Sequence, residues 1–292
     1  MAGKLAVIAR IAKQDKNVRF TSLIHLINKE NLMICFKMLA KDAAPGIDGV
    51  TVEAYKENLD ANLEKLLKRL KGKWYNPKPV RRVYIPKPGK EELRPLGIPT
   101  VEDKIVQMAL KWILESIYEY DFLECSHGFR PKRGCHTAIK QLNEAVMKHS
   151  VNYIVEVDIR RFFDTVDHAK LLELLQIRIA DPNMRWLVRK FLRAGIMEAG
   201  EWQSSDEGTP QGGIVSPMLA NIYLHYVLDV WFEKSFQAQA KGYVSLIRYC
   251  DDFVMACEGK YDADRFLAEL EKKTCRIQPG NLKREDKEHE VW

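Results

Sequence analysis

The chain has no Cys-x-x-Cys pair and no histidine set beside its cysteines at zinc-binding spacing, which excludes the common small zinc modules. Its six cysteines, Cys35, Cys125, Cys135, Cys250, Cys257 and Cys275, are scattered. They form no legible disulfide framework, and a reducing compartment with most thiols buried as small apolar groups fits them. No apolar run approaches the roughly 18 residues that span a bilayer, so a membrane partner is excluded. The short apolar start from Met1 to Ala9 lacks a small-residue cleavage site, so no export signal is read there. Internal repeats and low-complexity linkers are also missing.

What is present is an ordinary core and an uneven charge. A length of 292 residues with 46% hydrophobic content suffices for one large domain or two small ones. The net charge is only +6, yet residues 65–94 carry eleven Lys and Arg against two acids, Glu91 and Glu92, leaving the remainder of the chain negative. Concentrated positive charge, including Arg81 and Arg82, points to a polyanionic partner such as nucleic acid. A solvated helix face and loop is the plainer reading of the same charges. Trp74 and Tyr75 lie within the stretch, either as stacking platforms for bases or as core anchors.

Periodicity sketches the organisation. Residues 1–45 lean helical, and Pro45-Gly46-Ile47-Asp48-Gly49 is rich in turn formers. Leu59, Leu63, Leu66, Leu67 and Leu70 recur at helical spacing, as do Ile105, Met108, Ala109, Trp112, Ile113 and Ile117. From Pro77 to Pro99, prolines with β-branched and basic residues between them predict short strands and turns. Ser126–Thr137 reads as a loop. Leu171, Leu172, Leu174 and Leu175 mark a helix. Ser216-Pro217 is a helix start, followed by the apolar stripe Leu219, Ile222, Tyr223, Tyr226, Val227 and Val230. Strands and helices mix without strict alternation, which predicts an α+β fold. After about Thr274 the periodicity fades into charged and polar residues, read as a frayed end.

The most informative stretch is Tyr249-Cys250-Asp251-Asp252, set between the apolar runs Ser245–Ile247 and Phe253–Met255. It predicts a β-hairpin with two carboxylates at its tip. Adjacent carboxylates repel and are costly to desolvate, so a fold usually holds such a pair with a cation. A third acid, Asp158, ends the alternating run from Val151 to Val157. Strand-end acids brought together make a divalent-metal site. A lone Asp-Asp is ordinarily a solvated turn, and only its company argues otherwise.

That company is an ordered set: Asp158, then Thr209-Pro210-Gln211-Gly212-Gly213-Ile214-Val215-Ser216-Pro217, then Tyr249-Cys250-Asp251-Asp252. The set resembles the reverse transcriptases of bacterial group II introns, over roughly Pro45 to Ala256. The resemblance implies right-hand polymerase fingers and palm, with an antiparallel palm sheet packed on helices. It divides the chain into an N-terminal helical extension at 1–44, fingers and palm at 45–275 and a frayed, truncated end at 276–292. Lys272, Lys273 and Thr274 resemble the start of a further palm motif, and no thumb follows them.

Residue roles follow from the same resemblance. Asp158 and Asp251 are the expected catalytic metal ligands, with Asp252 as the neighbouring acid and Ile159 adding a backbone carbonyl. The cofactor is a pair of Mg2+ ions, for which Mn2+ can substitute. Lys87 and Arg94, within Tyr84–Pro99, are expected to grip the triphosphate, where Arg can bind phosphate oxygens bidentately. Phe163 is the expected filter against a ribose 2′-hydroxyl, with a core phenylalanine as the plainer reading. Gln211 and Gly212 are expected beside the nucleotide, since glycine permits close backbone approach. Arg81, Arg82 and Arg130 are expected to contact nucleic acid, Arg130 with a buried ion-pair role as its alternative. His127 is expected to be structural. Cys250 stands where the group commonly has Ala, and being small it is expected to be tolerated, with altered redox sensitivity.

The implied partners are RNA template, intron RNA, DNA primer and dNTPs, with a homodimer as a further expectation. The implied setting is the cytoplasm of a bacterial host or an organelle. Two other readings use the same residues. One is a non-catalytic, maturase-like RNA-binding splicing cofactor, or a domesticated or truncated reverse transcriptase such as a phage-defence enzyme. The other is an RNA-dependent RNA polymerase, against which Phe163 argues.

Overall fold

Helices and short strands follow one another without strict alternation, and several helix starts have a local cause. A computed structural model describes residues 2–86, 89, 93–159, 162–198, 200–203, 208, 212–277, 282–283 and 289–290. The helices α1 (Ala2–Gln14), α2 (Lys29–Lys37), α3 (Val52–Glu57) and α4 (Leu59–Lys71) come first. Asn28 and Thr51 cap α2 and α3, each accepting a hydrogen bond from the backbone N–H three residues on. The strands β1 (Val80–Pro86) and β2 (Leu93–Ile98) and the long α5 (Val101–Tyr118) follow, α5 capped by Thr100. Next come α6 (Cys135–Lys148), β3 (Tyr153–Ile159), α7 (Phe162–Thr165), α8 (His168–Leu175) and α9 (Pro182–Leu192). The strands β4 (Ile196–Glu198) and β5 (Glu201–Gln203) precede α10 (Ser216–Leu224). The chain then runs through β6 (Val244–Tyr249), β7 (Asp252–Cys257), α11 (Lys260–Ile277), β8 (Leu282–Lys283) and β9 (His289–Glu290). The fold is α+β, as the sequence predicts.

The chain divides into two compact units. The first comprises residues 1–121 and 168–218. Its sheet has the order β2-β1-β4-β5, with β1 and β2 antiparallel and β1 and β4 parallel. Residues 1–44 belong to this unit, with α1 and α2 packed on α5. Helix α5 is almost wholly buried, including Ile105, Leu110, Ile113 and Ile117. Buried Asp103 ties the helix start to the strand entrance. It accepts from Thr100 Oγ1 at 2.7 Å, from Lys78 N at 3.1 Å and from the Tyr75 hydroxyl. Tyr75 is therefore a core anchor, whereas its neighbour Trp74 is 60% exposed.

The second unit comprises residues 122–167 and 219–292. Its sheet runs β6-β7-β3-β8, antiparallel throughout, with the β9 backbone also paired to β3. In β3 the alternation is clean: Val155 and Val157 are buried while Glu156 and Asp158 are exposed. Helix α11 packs across β3 and β7. Phe266 of α11 meets Phe232, Phe236 and Phe253 with ring centroids 5.2 to 6.4 Å apart. The expected frayed end falls largely outside the described residues.

One sequence expectation is corrected here. Beyond α10 the helix widens into π turns at His225–Asp229 and Phe232–Phe236. The wider turn shifts the inward face off a 3.6-residue register. Tyr226, Val227 and Val230 are only half-buried, while His225, Leu228, Asp229 and Phe232 face the core.

Candidate catalytic site

The acids meet through strand register. In the β3–β7 ladder Asp158 lies directly opposite Asp252, and Asp251 precedes Asp252 in the turn from β6. Directly opposed residues of an antiparallel pair sit about 4.5–5.5 Å apart at Cα and share one face of the sheet. Asp158 and Asp252 are exposed and Asp251 is half-buried. Ile159, the last residue of β3, is half-buried beside them.

These oxygen donors suit a hard divalent cation. Among the described residues no three His, Cys, Asp or Glu side chains close into a ready metal cage. That is compatible with magnesium, which takes one or two protein carboxylates and completes its octahedron with water and substrate phosphate.

The turn itself is strained and braced from below. Cys250 has φ +62°, a left-handed conformation that costs a non-glycine residue about 1–2 kcal/mol. Arg248, fully buried, holds it. Its Nε and Nη2 donate to Asp229 Oδ1 and Oδ2 at 2.7 and 2.6 Å. Nη1 reaches the Cys250 carbonyl at 2.8 Å and Asn221 Oδ1 at 3.0 Å, and Nη2 reaches Ser126 Oγ at 2.8 Å. Burial opposes the Arg248 charge, but Asp229 more than offsets it and holds the guanidinium above its ordinary pKa. On the other side Gly128 presses on the turn: a Cβ there would lie 2.5 Å from Cys250 N. The Cys250 thiol is pushed up by burial and by neighbouring Asp251, so it stays protonated.

The residues around Gly128 extend this bracing. Arg248 N donates to Cys125 O at 2.7 Å, and His127 N donates to Arg248 O at 2.8 Å. Asn221 Nδ2 donates to Gly128 O at 2.7 Å. The His127 ring sits between Thr137 and Gln141, at 2.8 and 2.5 Å, a structural placement as expected. Arg130, expected at nucleic acid or else in a buried ion pair, faces inward. It is 6% exposed, its Nη1 donates to the carbonyls of Leu123 and Ser126 at 2.7 Å, and it lies over the Phe122 ring.

Other expected residues fall as follows. Phe162 is buried against Tyr223 and Phe163, while Phe163 is half-buried. Arg94 is exposed on β2 opposite Ile85. Arg81 donates twice to Pro45 O, at 3.1 and 2.8 Å, and Arg82 is half-buried. Gly212 has φ +102° and lies against Gly97, where a Cβ would meet the Gly97 carbonyl oxygen at 2.6 Å. Only glycine fits there. Lys87 and Gln211 lie outside the described residues.

Sequence reading missed the Arg248–Asp229–Asn221 brace. The signal was available: a charge inside the apolar run of β6, and another inside the apolar helix after Ser216. Charges in otherwise buried runs are almost always paired.

Opposed acids at the strand ends of an antiparallel sheet, beside a braced turn, form the candidate site. A family model described as reverse transcriptase (RNA-dependent DNA polymerase) matches residues 85–277, and the chain belongs to that family. Two of the relatives that follow carry intron names. The chain is 40% identical over 229 residues to the group II intron-encoded protein LtrA of Lactococcus lactis subsp. cremoris, covering 77% of this chain and 38% of that one. It is 34% identical over 310 residues to protein YkfC of Escherichia coli (strain K12), covering 94% of this chain and 80% of that one. The nuclear intron maturase 4, mitochondrial, of Arabidopsis thaliana is 27% identical over 149 residues. The chain thus spans less than half of the Lactococcus protein's length. Among the described residues no helix is long and apolar enough to cross a membrane.

Proposed function

We propose that this chain carries the fingers and palm of an RNA-directed DNA polymerase of a group II intron. It would extend a DNA primer with dNTPs on an RNA template by nucleotidyl transfer. The observation that carries the reading is the register of Asp158 opposite Asp252, one residue from Asp251. Asp158 and Asp251 hold the divalent cations in this reading, with Asp252 and the Ile159 carbonyl in support. When bound, two Mg2+ or Mn2+ ions lower the cost of forming the nucleophile and stabilise the leaving group. The chain's own task is to aim its carboxylates, which the Arg248 brace performs from within the sheet. Half-buried Phe163, fixed by Phe162 behind it, supports a steric check on the sugar. Arg94, exposed on β2, and Lys87 are the proposed triphosphate contacts. Gly212 and Gln211 are the proposed contacts to the rest of the nucleotide.

The test is primer extension on an RNA template with dNTPs and Mg2+. Asp158→Ala and Asp251→Ala should each abolish extension while RNA affinity persists. Normal extension by either variant would sink the assignment, and preference for ribonucleotides would favour an RNA polymerase instead.

A second reading, a maturase-like RNA-binding cofactor, is favoured by a separate surface. Lys65, Lys68, Lys71, Lys73 and Lys78 are all exposed around α4 and the turn after it, beside exposed Trp74. Binding there should weaken steeply with salt as phosphate contacts release counterions, and it should ignore loss of the acids.

A further inference from the structure

The loop between Gly128 and Arg133 has a feature that the polymerase reading leaves unused. Phe129 has φ +54° and Lys132 has φ +61°, and both side chains are exposed, Phe129 at 52%. A bulky residue in the left-handed region is uncommon and persists only where its surroundings enforce it. Here they do. On either side of Phe129 the chain is fixed inward: the Gly128 carbonyl by Asn221, and Arg130 by two carbonyls and the Phe122 ring. Arg133 is likewise occupied by the Glu124 carbonyl and carboxylate. The loop is therefore rigid, and what it turns outward, against conformational preference, is one aromatic ring and one ammonium. Its base abuts the catalytic turn, since Gly128 lies against Cys250 N.

We propose that Phe129 and Lys132 form a docking point for single-stranded nucleic acid beside the catalytic acids. Phe129 stacks on an unpaired base and Lys132 contacts an adjacent phosphate. Core packing does not explain Phe129, whose ring lies half in solvent. Stacking does, because a fixed ring with an open face loses little entropy on meeting a base. Each stacked base is worth about 1–3 kcal/mol, or roughly 5- to 150-fold in affinity. The inference rests on the nucleic-acid reading of this site and adds to it a specific binding residue.

The experiment is equilibrium binding of the full chain to short fluorescein-labelled single-stranded RNA and DNA, followed by anisotropy, with thermal unfolding measured in parallel. Phe129→Ala should weaken binding by about tenfold. Phe129→Trp should retain it, with indole fluorescence quenched on saturation. Phe129→Gly is the decisive variant. It removes the left-handed strain, so the unfolding midpoint should hold or rise while affinity falls as in Phe129→Ala. Lys132→Ala should lower the salt slope of binding by about one. Which of RNA or DNA loses more affinity identifies the strand. The proposal fails if Phe129→Ala binds within about twofold of the parent chain, or if the Gly and Ala variants lose stability and affinity together. Primer extension by the parent chain separates this outcome from the polymerase reading. An active parent with unchanged Phe129→Ala binding sinks the platform alone. An inactive parent with weakened Phe129→Ala binding sinks the polymerase and keeps the platform.

Discussion

Each of the two units buries an arginine–aspartate pair, and the two pairs are built differently. In the second unit Arg248 and Asp229 meet through two parallel bonds, and Arg248 makes three more to Asn221, Cys250 and Ser126. In the first unit Arg178 Nε lies 3.2 Å from Asp121 Oδ2 without hydrogen-bond alignment, and among the described residues neither carboxylate oxygen of Asp121 gains a hydrogen bond. The other Arg178 bonds, to Asp15 O and Ala12 O, are long at 3.3 and 3.5 Å. Coulomb attraction is present in both, but only bonded geometry makes a buried pair rigid. The rigid pair lies under the turn that carries the acids, and the loose one supports the entry to α9. Charge burial by itself does not fix a side chain; complete satisfaction of its donors does.

The largest effect should come from breaking the rigid pair. Arg248→Met leaves Asp229 charged and sealed, at an expected cost of about 3–5 kcal/mol. The double variant Arg248→Met with Asp229→Leu removes both charges and should recover most of that stability in urea unfolding. Primer extension should stay lost in the double variant, because the Cys250 carbonyl and the Ser126 hydroxyl no longer have their donor. If the double variant polymerises like the parent, the pair is core filler and the contrast with Arg178–Asp121 carries no functional meaning.

Gly128 tests the brace from the opposite side. A methyl group there meets Cys250 backbone, which cannot yield cheaply, so Gly128→Ala should cost about 1–3 kcal/mol and displace the turn. Gly134→Ala is the matched control at the end of the same loop, where a Cβ meets nothing within 4 Å. Extension should fall in the first variant and persist in the second. Equal behaviour of the two would detach the loop from the turn.

The loose pair should reveal itself through pH. Burial raises the Asp121 carboxyl from 3.8 to about 6, with Arg178 only partly opposing. The folded chain thus binds this proton more tightly than the unfolded chain. Stability from this group is present below the unfolded value and is lost as pH rises from about 4 to about 6. Asp121→Asn is neutral throughout, so its urea midpoint should decline less than the parent's across that window. Parallel pH profiles would mean that Arg178 compensates Asp121 as fully as Arg248 compensates Asp229.

Much of the second unit's site was legible because strand alternation and hairpin punctuation are local signals. Val155, Val157 and Asp158 alternate as read, and the Asp251–Asp252 turn falls between two apolar runs that pair. What was not legible depends on tertiary contacts. The π turns shift the inward face after Leu224 off the 3.6-residue register, so Leu228 and Phe232 face the core where the periodicity places Tyr226, Val227 and Val230. The placement of Arg130 was hidden for a similar reason. The resemblance places Arg130 at nucleic acid, while the fold sets its guanidinium on the inward carbonyls of Leu123 and Ser126 and leaves Phe129, at φ +54°, exposed.

The smallest effect should fall on Cys250, the residue that all of this bracing surrounds. Its backbone carries the contacts: the carbonyl receives Arg248 and the N–H faces Gly128. Its side chain is a buried, protonated thiol, which behaves as a small apolar group. Cys250→Ala keeps the backbone and loses one heavy atom, so stability should change by less than about 1.5 kcal/mol and primer extension by little. Thiol-modifying reagents should also act slowly at this position, since burial and a raised pKa withhold the thiolate. A large loss of extension in Cys250→Ala with unchanged unfolding would show that the sulfur, and not the braced backbone, sets the position of Asp251.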